Sequence, residues 1–254
     1  MSTNSHTAST PTTDRRVAVV TGASGGIGRA VAEKLAADGM AVLVHFSGNE
    51  SRARDVVETI LAADGSAEAM GADVADETQV AALFDHAENT FGGVDVVVHA
   101  AGIMLLSPLA ELDLADFDRM LRTNVRGTVV VDQQAVRRLR AGGALINFST
   151  SVVGLALPSY AAYAASKGAV EAMTMILAKE LRGRDVTVNA VAPGPTATPL
   201  FLDGKSRESV NRLASMAPLE RLGTPDDIAT TVAFLAGPGR WINGQVLRVN
   251  GGVV

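Results

Sequence analysis

Cysteine is absent from this sequence of 254 residues. Disulfides, thiolate nucleophiles and cysteine-containing metal sites are therefore excluded. The four histidines, His6, His45, His86 and His99, are scattered without the spacing of metal ligands. We therefore expect no metal ion in the protein.

The chain also lacks a strong excess of either charge and has no long apolar run. The net charge is −5, charged residues make up 19%, and no basic patch is dense enough to predict a nucleic-acid partner. No window approaches the ~20 apolar residues of a membrane span. Residues 1–14 are rich in Ser and Thr and lack the apolar run of about 7–15 residues that a signal peptide needs. We expect a disordered tail over 1–14 and a cytoplasmic protein without membrane contact.

Short apolar runs alternate with amphipathic segments from residue 15 onward. The runs RVAVVTG (16–22), AVLVHF (41–46), SAEAMGADV (66–74), VDVVVHAAG (94–102), ALINFS (144–149), DVTVNAVAP (185–193) and QVLRV (245–249) predict strands, and long helices are expected over about 113–140 and 159–182. Continuous apolar strands joined by helices indicate a parallel sheet covered on both faces. Right-handed crossovers make this a doubly wound α/β sheet, the Rossmann fold. No linker interrupts the pattern, so residues 15–254 are expected to form a single domain.

A glycine-rich stretch, TGASGGIG (21–28), joins the first predicted strand to the first helix. Gly22, Gly26 and Gly28 permit a tight turn and the close approach of a ligand to the backbone. The N–H groups and positive dipole at the helix start favour a pyrophosphate. The spacing matches neither G-x-G-x-x-G nor a P-loop, so a mere strand–helix connection remains the alternative.

The end of the second strand carries no carboxylate. A dinucleotide site usually has an acidic residue there, about 20 residues after the glycines, which binds the ribose hydroxyls. Here the chain reads His45, Phe46 and Ser47, and the first acid is Glu50. An uncharged strand end leaves room for a 2′-phosphate, with donors from Ser47, Asn49 and Arg52. This pattern predicts NADP(H) rather than NAD(H).

Both tyrosines of the chain lie in SYAAYAASK (159–167). Tyr163 and Lys167 are four residues apart and share a helix face, whereas Tyr160 is two turns from the lysine. A nearby cation lowers the pKa of a phenol and makes it a usable acid or base. Tyr163 is therefore the candidate for chemistry, and Tyr160 is expected to pack at the rim of a pocket.

Two further polar residues stand at informative places. Ser151 follows the strand ALINFS and can hydrogen-bond a carbonyl held against Tyr163. Asn124, in RTNVRG, is a poor helix former inside a predicted helix, where it can hold a local kink and a water. Each of the two alone is more often structural.

Taken together, TGASGGIG, Asn124, Ser151 and YAASK resemble the short-chain dehydrogenase/reductase superfamily. The resemblance extends from Arg16 to Gly252 and includes ADV (72–74), HAAG (99–102), PGPTATPL (193–200) and WINGQVLRVNGG (241–252). It is nearest to the branch of hydroxynaphthalene reductases and β-ketoacyl carrier-protein reductases, which mostly use NADPH.

The resemblance implies hydride transfer between a nicotinamide and a carbonyl or secondary alcohol. Tyr163 would be the general acid/base and Ser151 would orient the oxygen. Asn124 would hold a water that relays protons by way of Lys167. The implied cofactor-binding residues are Gly22, Ser24, Gly26, Ile27, Gly28, Phe46, Ser47, Asn49, Asp73, Val74, Ala101, Gly102, Tyr163, Lys167, Pro193, Gly194 and Thr198.

One motif departs from the family pattern. His99 and Ala100 stand where the family typically has two asparagines, in NNAG. An asparagine there usually supports the sheet and the adenosine half of the cofactor. The departure therefore bears on cofactor affinity more than on the chemistry.

The remaining expectations concern substrate and assembly. Residues 195–216 are predicted to form a mobile lid, and the chain is expected to form a homo-tetramer. The alternative is a non-catalytic dinucleotide-binding or regulatory protein on the same fold. The predicted pocket suits an apolar carbonyl or alcohol and consists of Met104, Val153, Leu155, Tyr160, Leu200 and Phe201.

Overall fold

The structure is a computed structural model, and it describes residues 15–254. The predicted tail at 1–14 lies outside the described residues. Seven parallel strands form one sheet in the order β3-β2-β1-β4-β5-β6-β7. The strands are β1 (Val17–Thr21), β2 (Ala41–Phe46), β3 (Ser66–Gly71), β4 (Val94–His99), β5 (Leu139–Phe148), β6 (Thr187–Pro193) and β7 (Val246–Val249).

Helices connect the strands and cover the sheet. They are α1 (Gly26–Ala37), α2 (Glu50–Ala62), α3 (Glu77–Phe91), α4 (Leu114–Leu121), α5 (Gly127–Arg138), α6 (Val152–Leu155), α7 (Ala161–Glu180), α8 (Pro199–Leu202), α9 (Arg207–Ser215) and α10 (Pro225–Ala236). A 3₁₀ turn spans Leu109–Glu111, and a π-helical turn, Arg122–Arg126, joins α4 to α5.

Side chains of the strands alternate between two buried clusters. Val20 packs with Leu35 of α1 and Ile228 of α10 on one face. Val19 packs with Phe84 of α3 and other apolar residues on the opposite face. The predicted doubly wound sheet, buried on both faces, is confirmed. The chain reverses its winding direction at β1 and β4, which places a crevice at their carboxyl ends.

The helix expected over 113–140 is not continuous. It consists of α4 and α5 separated by the π-helical turn, and β5 begins at Leu139 rather than at Ala144. Asn124 lies in the turn, and its side chain bonds to Ile103. A residue bonded outside the helix at this point accounts for the local widening. The third strand also ends earlier than predicted, at Gly71.

Candidate active site

A cleft of about 1040 Å³ opens at the carboxyl edge of the sheet. The segments that follow β1 through β6 all contribute to its lining. Open α/β sheets bind ligands at this edge, where the strand order reverses. The fold therefore brings together motifs that lie far apart in the sequence.

Glycines of the loop after β1 are required by the backbone. Gly22 and Gly26 have φ of +67° and +54°. A Cβ on Gly28 would lie 2.3 Å from the carbonyl oxygen of Gly22. No side chain in the described part of the chain caps the start of α1, so its first N–H groups are available to a ligand. This cradle fits the pyrophosphate of a dinucleotide.

His45 fixes the position of the glycine loop. Its Nδ1 accepts a hydrogen bond of 3.1 Å from the Gly22 N–H, and its Nε2 donates one of 2.9 Å to the Ala72 carbonyl. These two partners assign a neutral ring with the proton on Nε2. Burial, the largest influence, lowers the pKa of His45 and keeps it neutral. No local sequence signal indicates this role, because the partners lie on different loops.

The end of β2 presents polar groups without a carboxylate. Ser47, Asn49 and Arg52 line the cleft there, and Glu50 does not. Asn49 Oδ1 accepts from the Arg52 N–H at 3.0 Å and caps α2. No residue within 15–254 forms an ion pair with the Arg52 guanidinium. That guanidinium is therefore available to an anion such as a 2′-phosphate.

Asp73 and Val74 line the cleft beyond β3. Burial acts to raise the pKa of Asp73, but a hydrogen bond from the Ala75 N–H and the ion pair with Arg122 outweigh it and lower the pKa. Asp73 is therefore ionised and available as a hydrogen-bond acceptor.

Ser151, Tyr163 and Lys167 all line this cleft. Ser151 Oγ donates to the Ala192 carbonyl at 2.9 Å and accepts from Asn250 Nδ2 at 3.0 Å. Lys167 Nζ donates to the Phe148 carbonyl at 2.8 Å. The structure thus brings the three predicted side chains together, and β5, β6 and α7 hold them.

The ionisation of the Tyr163–Lys167 pair differs from the prediction. Burial raises the pKa of Tyr163 to about 12, with a further rise from Tyr160 and a smaller lowering by a hydrogen bond with Thr150. Burial also lowers the pKa of Lys167 to about 8. The expected lowering of the phenol pKa by Lys167 is therefore wrong for this structure. The ammonium bonds to the Phe148 carbonyl, and desolvation dominates.

Asn124 lies behind the cleft lining and is fully buried. Its Oδ1 accepts from the Ile103 N–H and its Nδ2 donates to the Ile103 carbonyl, both at 2.9 Å. Nδ2 also donates to Ser166 Oγ at 3.1 Å. A Cβ on Gly102 would lie 3.1 Å from Asn124 Oδ1 and 3.4 Å from Lys167 Nζ. Asn124 therefore fixes the segment after β4 close to Lys167.

His99 joins β4 to β1. Its Nδ1 lies 2.8 Å from Thr21 Oγ1, and the same oxygen accepts from the Ala101 N–H at 3.2 Å. Burial, then Lys167 and His45, lower the pKa of His99 to about 3, so the ring is neutral. His99 thus supports the sheet, while Ala100 lines the cleft.

Besides Asn124, two predicted site residues, Phe46 and Val153, do not line the cleft. Phe46 turns toward β3, where its ring lies 3.0 Å from the Cβ position of Gly71. Val153 belongs to α6, whose Val152 and Leu155 face the cleft three residues apart while Val153 points elsewhere. Both predictions are corrected on this geometry. The other predicted cofactor and pocket residues line the cleft: Gly22, Ser24, Gly26, Ile27, Gly28, Ser47, Asn49, Asp73, Val74, Ala101, Gly102, Met104, Leu155, Tyr160, Tyr163, Lys167, Pro193, Gly194, Thr198, Leu200 and Phe201.

Sequence reasoning missed several lining residues. Thr150 bonds to Tyr163, and Leu213 of α9 reaches the apolar end of the cleft. Arg122 and Gln79 line the end near Asp73. Leu213 could have been found from the amphipathic pattern of 207–215, whereas Arg122 and Gln79 carry no local signal.

Residues 15–254 contain no group of three or more His, Asp or Glu side chains that could hold a metal ion. None of the helices in this part of the chain has the length and apolar character needed to cross a membrane.

A doubly wound parallel sheet with a glycine cradle and a buried Tyr–Lys pair at its carboxyl edge defines a class, the dinucleotide-binding proteins of the Rossmann type. Comparison with known proteins narrows that class. A family model described as "Enoyl-(Acyl carrier protein) reductase" matches residues 22–254. A "Short-chain type dehydrogenase/reductase" of Picea abies is 46% identical over 250 residues, which cover 94% of this chain and 92% of that protein. The chain belongs to the short-chain dehydrogenase/reductase superfamily and is an oxidoreductase of that family.

Two other proteins bear on the cofactor. "NADPH-dependent aldehyde reductase 2, chloroplastic" of Arabidopsis thaliana is 42% identical over 253 residues, which cover 93% of each chain. The crystal structure of a short-chain dehydrogenase from Burkholderia cenocepacia J2315 in complex with NADP is 38% identical, with a TM-score of 0.88 over 94% of this chain and 97% of that chain.

Proposed function

We propose that the protein is an NADP(H)-dependent reductase of carbonyl compounds, or a dehydrogenase of the corresponding secondary alcohols. The observation that supports the proposal is that Ser151, Tyr163 and Lys167 all line the cleft that also contains the glycine cradle. When bound, the nicotinamide would supply or accept the hydride.

Tyr163 is the group that donates a proton to the substrate oxygen in this reaction. With a pKa of about 12 the phenol is protonated at neutral pH, so it holds the proton that a carbonyl oxygen receives on reduction. Ser151 Oγ lies between the Ala192 carbonyl and Asn250 Nδ2, and its single hydrogen would turn from Ala192 to the substrate oxygen when a carbonyl compound binds. Lys167, with a pKa of about 8, exchanges a proton readily near neutral pH. The family resemblance implies that it would also bind the nicotinamide ribose.

Asn124 positions the backbone that lies beside Lys167. Its amide holds the Ile103 backbone next to Lys167, and the π-helical turn allows it to project from the helix. A water held at this turn would connect Lys167 with solvent, as the family resemblance implies.

The preference for NADP(H) rests on the end of β2. Ser47, Asn49 and Arg52 face the cleft, and no carboxylate there opposes a 2′-phosphate. The Arabidopsis relative named for NADPH and the NADP-bound Burkholderia structure support the same choice.

The substrate is proposed to be an apolar or alicyclic carbonyl compound. The cleft beside Tyr163 is lined by Met104, Leu155, Leu157, Leu200, Phe201 and Leu213. Such a lining favours apolar surface and leaves the carbonyl to Ser151 and Tyr163. The cytoplasmic location stays a prediction from the sequence, and the Arabidopsis relative is named chloroplastic.

The decisive experiment measures NADPH consumption with a panel of aldehydes, cyclic ketones and quinones. We expect turnover with at least one apolar member. A purified protein that binds NADPH without oxidising it in any assay would instead favour the non-catalytic dinucleotide-binding alternative.

Cofactor choice is tested by fluorescence titration with NADPH and NADH. Arg52→Gln should weaken NADPH binding about tenfold and leave NADH unchanged, because it removes a charge-assisted contact to phosphate. Arg54→Gln is the matched control, since Arg54 pairs with Glu50 on the same helix and does not line the cleft. Equal losses for both cofactors would contradict the assignment of Arg52.

A further inference from the structure

Two arginines of the π-helical turn hold the segment that follows β3. Arg122 Nη1 lies 2.7 Å from Asp73 Oδ2. Arg126 Nε donates to the Ala75 carbonyl at 3.0 Å, and its Nη2 lies 2.8 Å from Glu77 Oε1. Four residues separate the arginines, so both reach the same side of the helix.

Other contacts fix the same segment. The Asp73 N–H donates to Gln79 Oε1, and Asp73 Oδ1 accepts from the Ala75 N–H, both at 2.9 Å. A Cβ on Gly127 would lie 2.8 Å from Val74 Cγ2, so the helix and the segment are in close contact. Asp73 is therefore held by the Ala75 N–H on one oxygen and by Arg122 on the other.

Asp73 and Arg122 both line the cleft, with Val74 and Gln79. Their end of the cleft follows β3, four strand positions from β5 in the sheet. At about 4.8 Å per strand this end is roughly 19 Å from the strand that precedes Ser151. A dinucleotide with its nicotinamide beside Tyr163 would place its purine here.

We propose that Arg122 is a positioning residue for recognition of the purine, a role that rests on the proposed function. Each oxygen of a carboxylate can accept two hydrogen bonds. One acceptor position therefore remains on each oxygen of Asp73 after the bonds from Ala75 and Arg122. Arg122 orients the Asp73 carboxylate so that these acceptor positions face the cleft. There they accept a hydrogen bond from the exocyclic amine of adenine, which is a donor.

Asp73 held in this way also distinguishes between bases. Hypoxanthine has a carbonyl oxygen where adenine has the amine, and that oxygen faces an acceptor in Asp73. The fixed Asp73 therefore favours an adenine dinucleotide over its hypoxanthine analogue. A mobile Asp73 turns away from the carbonyl, and the preference falls.

The test compares binding of NADPH and of reduced nicotinamide hypoxanthine dinucleotide phosphate by fluorescence titration. Arg122→Gln should lower the ratio of the two affinities about threefold to fivefold, as fits the loss of a half-exposed ion pair. Arg119→Gln is the matched control, because Arg119 pairs with Asp116 in α4 at 3.0 Å and neither residue lines the cleft. The control should leave the ratio unchanged.

A double substitution guards against a purely structural effect. Asp73→Asn should lower the same ratio, and adding Arg122→Gln to it should lower the ratio no further. A fall in both affinities with an unchanged ratio in Arg122→Gln would overturn the proposal. If the wild type binds NADPH and Arg122→Gln leaves both affinities unchanged, the proposal for Arg122 is overturned while the proposed function stands. A wild type that fails to bind NADPH would overturn the proposed function as well.

Discussion

Tyr163 is the residue on which the proposed chemistry depends. Its phenol lies in the cleft with Lys167, while Tyr160 packs against it with ring centroids 6.4 Å apart. Tyr163→Phe removes the proton donor and should lower turnover at least about 100-fold, the usual contribution of a general acid. NADPH binding should change little, because the cradle and Arg52 are untouched.

Tyr160→Phe is the matched control for that prediction. The ring and its edge-to-face contact remain, so most of the turnover should be retained. Steady-state rates and NADPH titrations of both variants decide the assignment. Comparable losses of turnover in the two variants would contradict it.

A buried carboxyl makes stability depend on pH. Burial raises the pKa of Asp132 to about 7, against 3.8 for an exposed carboxyl, although Asn147 Nδ2 donates to it at 2.9 Å. The unfolded chain ionises this group first, so its contribution to stability falls as pH rises from about 4 to about 7. The full loss persists above pH 7.

Asp132→Asn replaces the carboxyl with an amide that does not ionise, so the loss of stability at higher pH disappears. Its amide can also donate to Asn147 Oδ1, which has no partner within the described residues. We expect the free energy of unfolding to rise by about 1–3 kcal/mol at pH 8 and by less at pH 5. Denaturant unfolding at the two pH values measures the difference. A gain that is larger at pH 5 would mean that Asp132 is ionised in the folded protein.

Residue roles were predictable where the signal was local. The spacing of Tyr163 and Lys167 predicted their common position in the cleft. The upward shift of the Tyr163 pKa was not predictable, because it depends on burial by residues from several elements. Arg122 gave no signal either, since its partner Asp73 lies 49 positions away, at the end of another strand.

At the scale of elements, the segment 195–216 is the part expected to move. It contains α8 and α9, and Leu200, Phe201 and Leu213 face the cleft from it. Leu200 is nevertheless 55% exposed. Closure over a bound substrate would bury this apolar surface, which is a common use of such a segment.

Hydrogen exchange with NADPH and a substrate should therefore slow over 195–216. The second half of α3, where Phe84 and Ala87 are buried against the sheet and no residue lines the cleft, supplies an internal control that should not change. Unchanged exchange in 195–216 would show that the segment is an ordered surface loop rather than a lid.

The helix predicted over 113–140 is interrupted in the structure by a turn that the sequence pattern does not predict. Apolar periodicity predicted one helix, and the low helix propensity of Asn124 indicated a local kink. The π-helical turn itself follows from the bonds of Asn124 to Ile103, a contact across 21 positions that periodicity does not contain. Strands were found more reliably, because the apolar runs of β1, β2 and β4 are continuous and buried.

At the scale of the whole molecule, two surfaces favour self-association. β7 lies at the edge of the sheet beside β6, as predicted for the terminal strand. Trp241, the only tryptophan, is 100% exposed near that edge, and Ile176 on α7 is 55% exposed. An open strand edge and apolar helix surface are usually covered, and two two-fold interfaces make a D2 tetramer.

Light scattering at micromolar concentration checks the assembly. We expect a mass about four times the 26.2 kDa of one chain. A monomer mass would contradict the prediction and would mean that these surfaces remain exposed in solution.

We propose that hydride transfer between a nicotinamide and a carbonyl carbon takes place in this cleft. NADPH that carries deuterium at the transferable position of the nicotinamide tests this proposal. The alcohol product of a ketone accepted in the substrate panel is then analysed by mass spectrometry. We expect one deuterium on the former carbonyl carbon, and at least about 100-fold less deuterated alcohol when Tyr163→Phe replaces the wild type at equal reaction time. An alcohol without deuterium, or NADPH that remains unoxidised with every ketone, would contradict it.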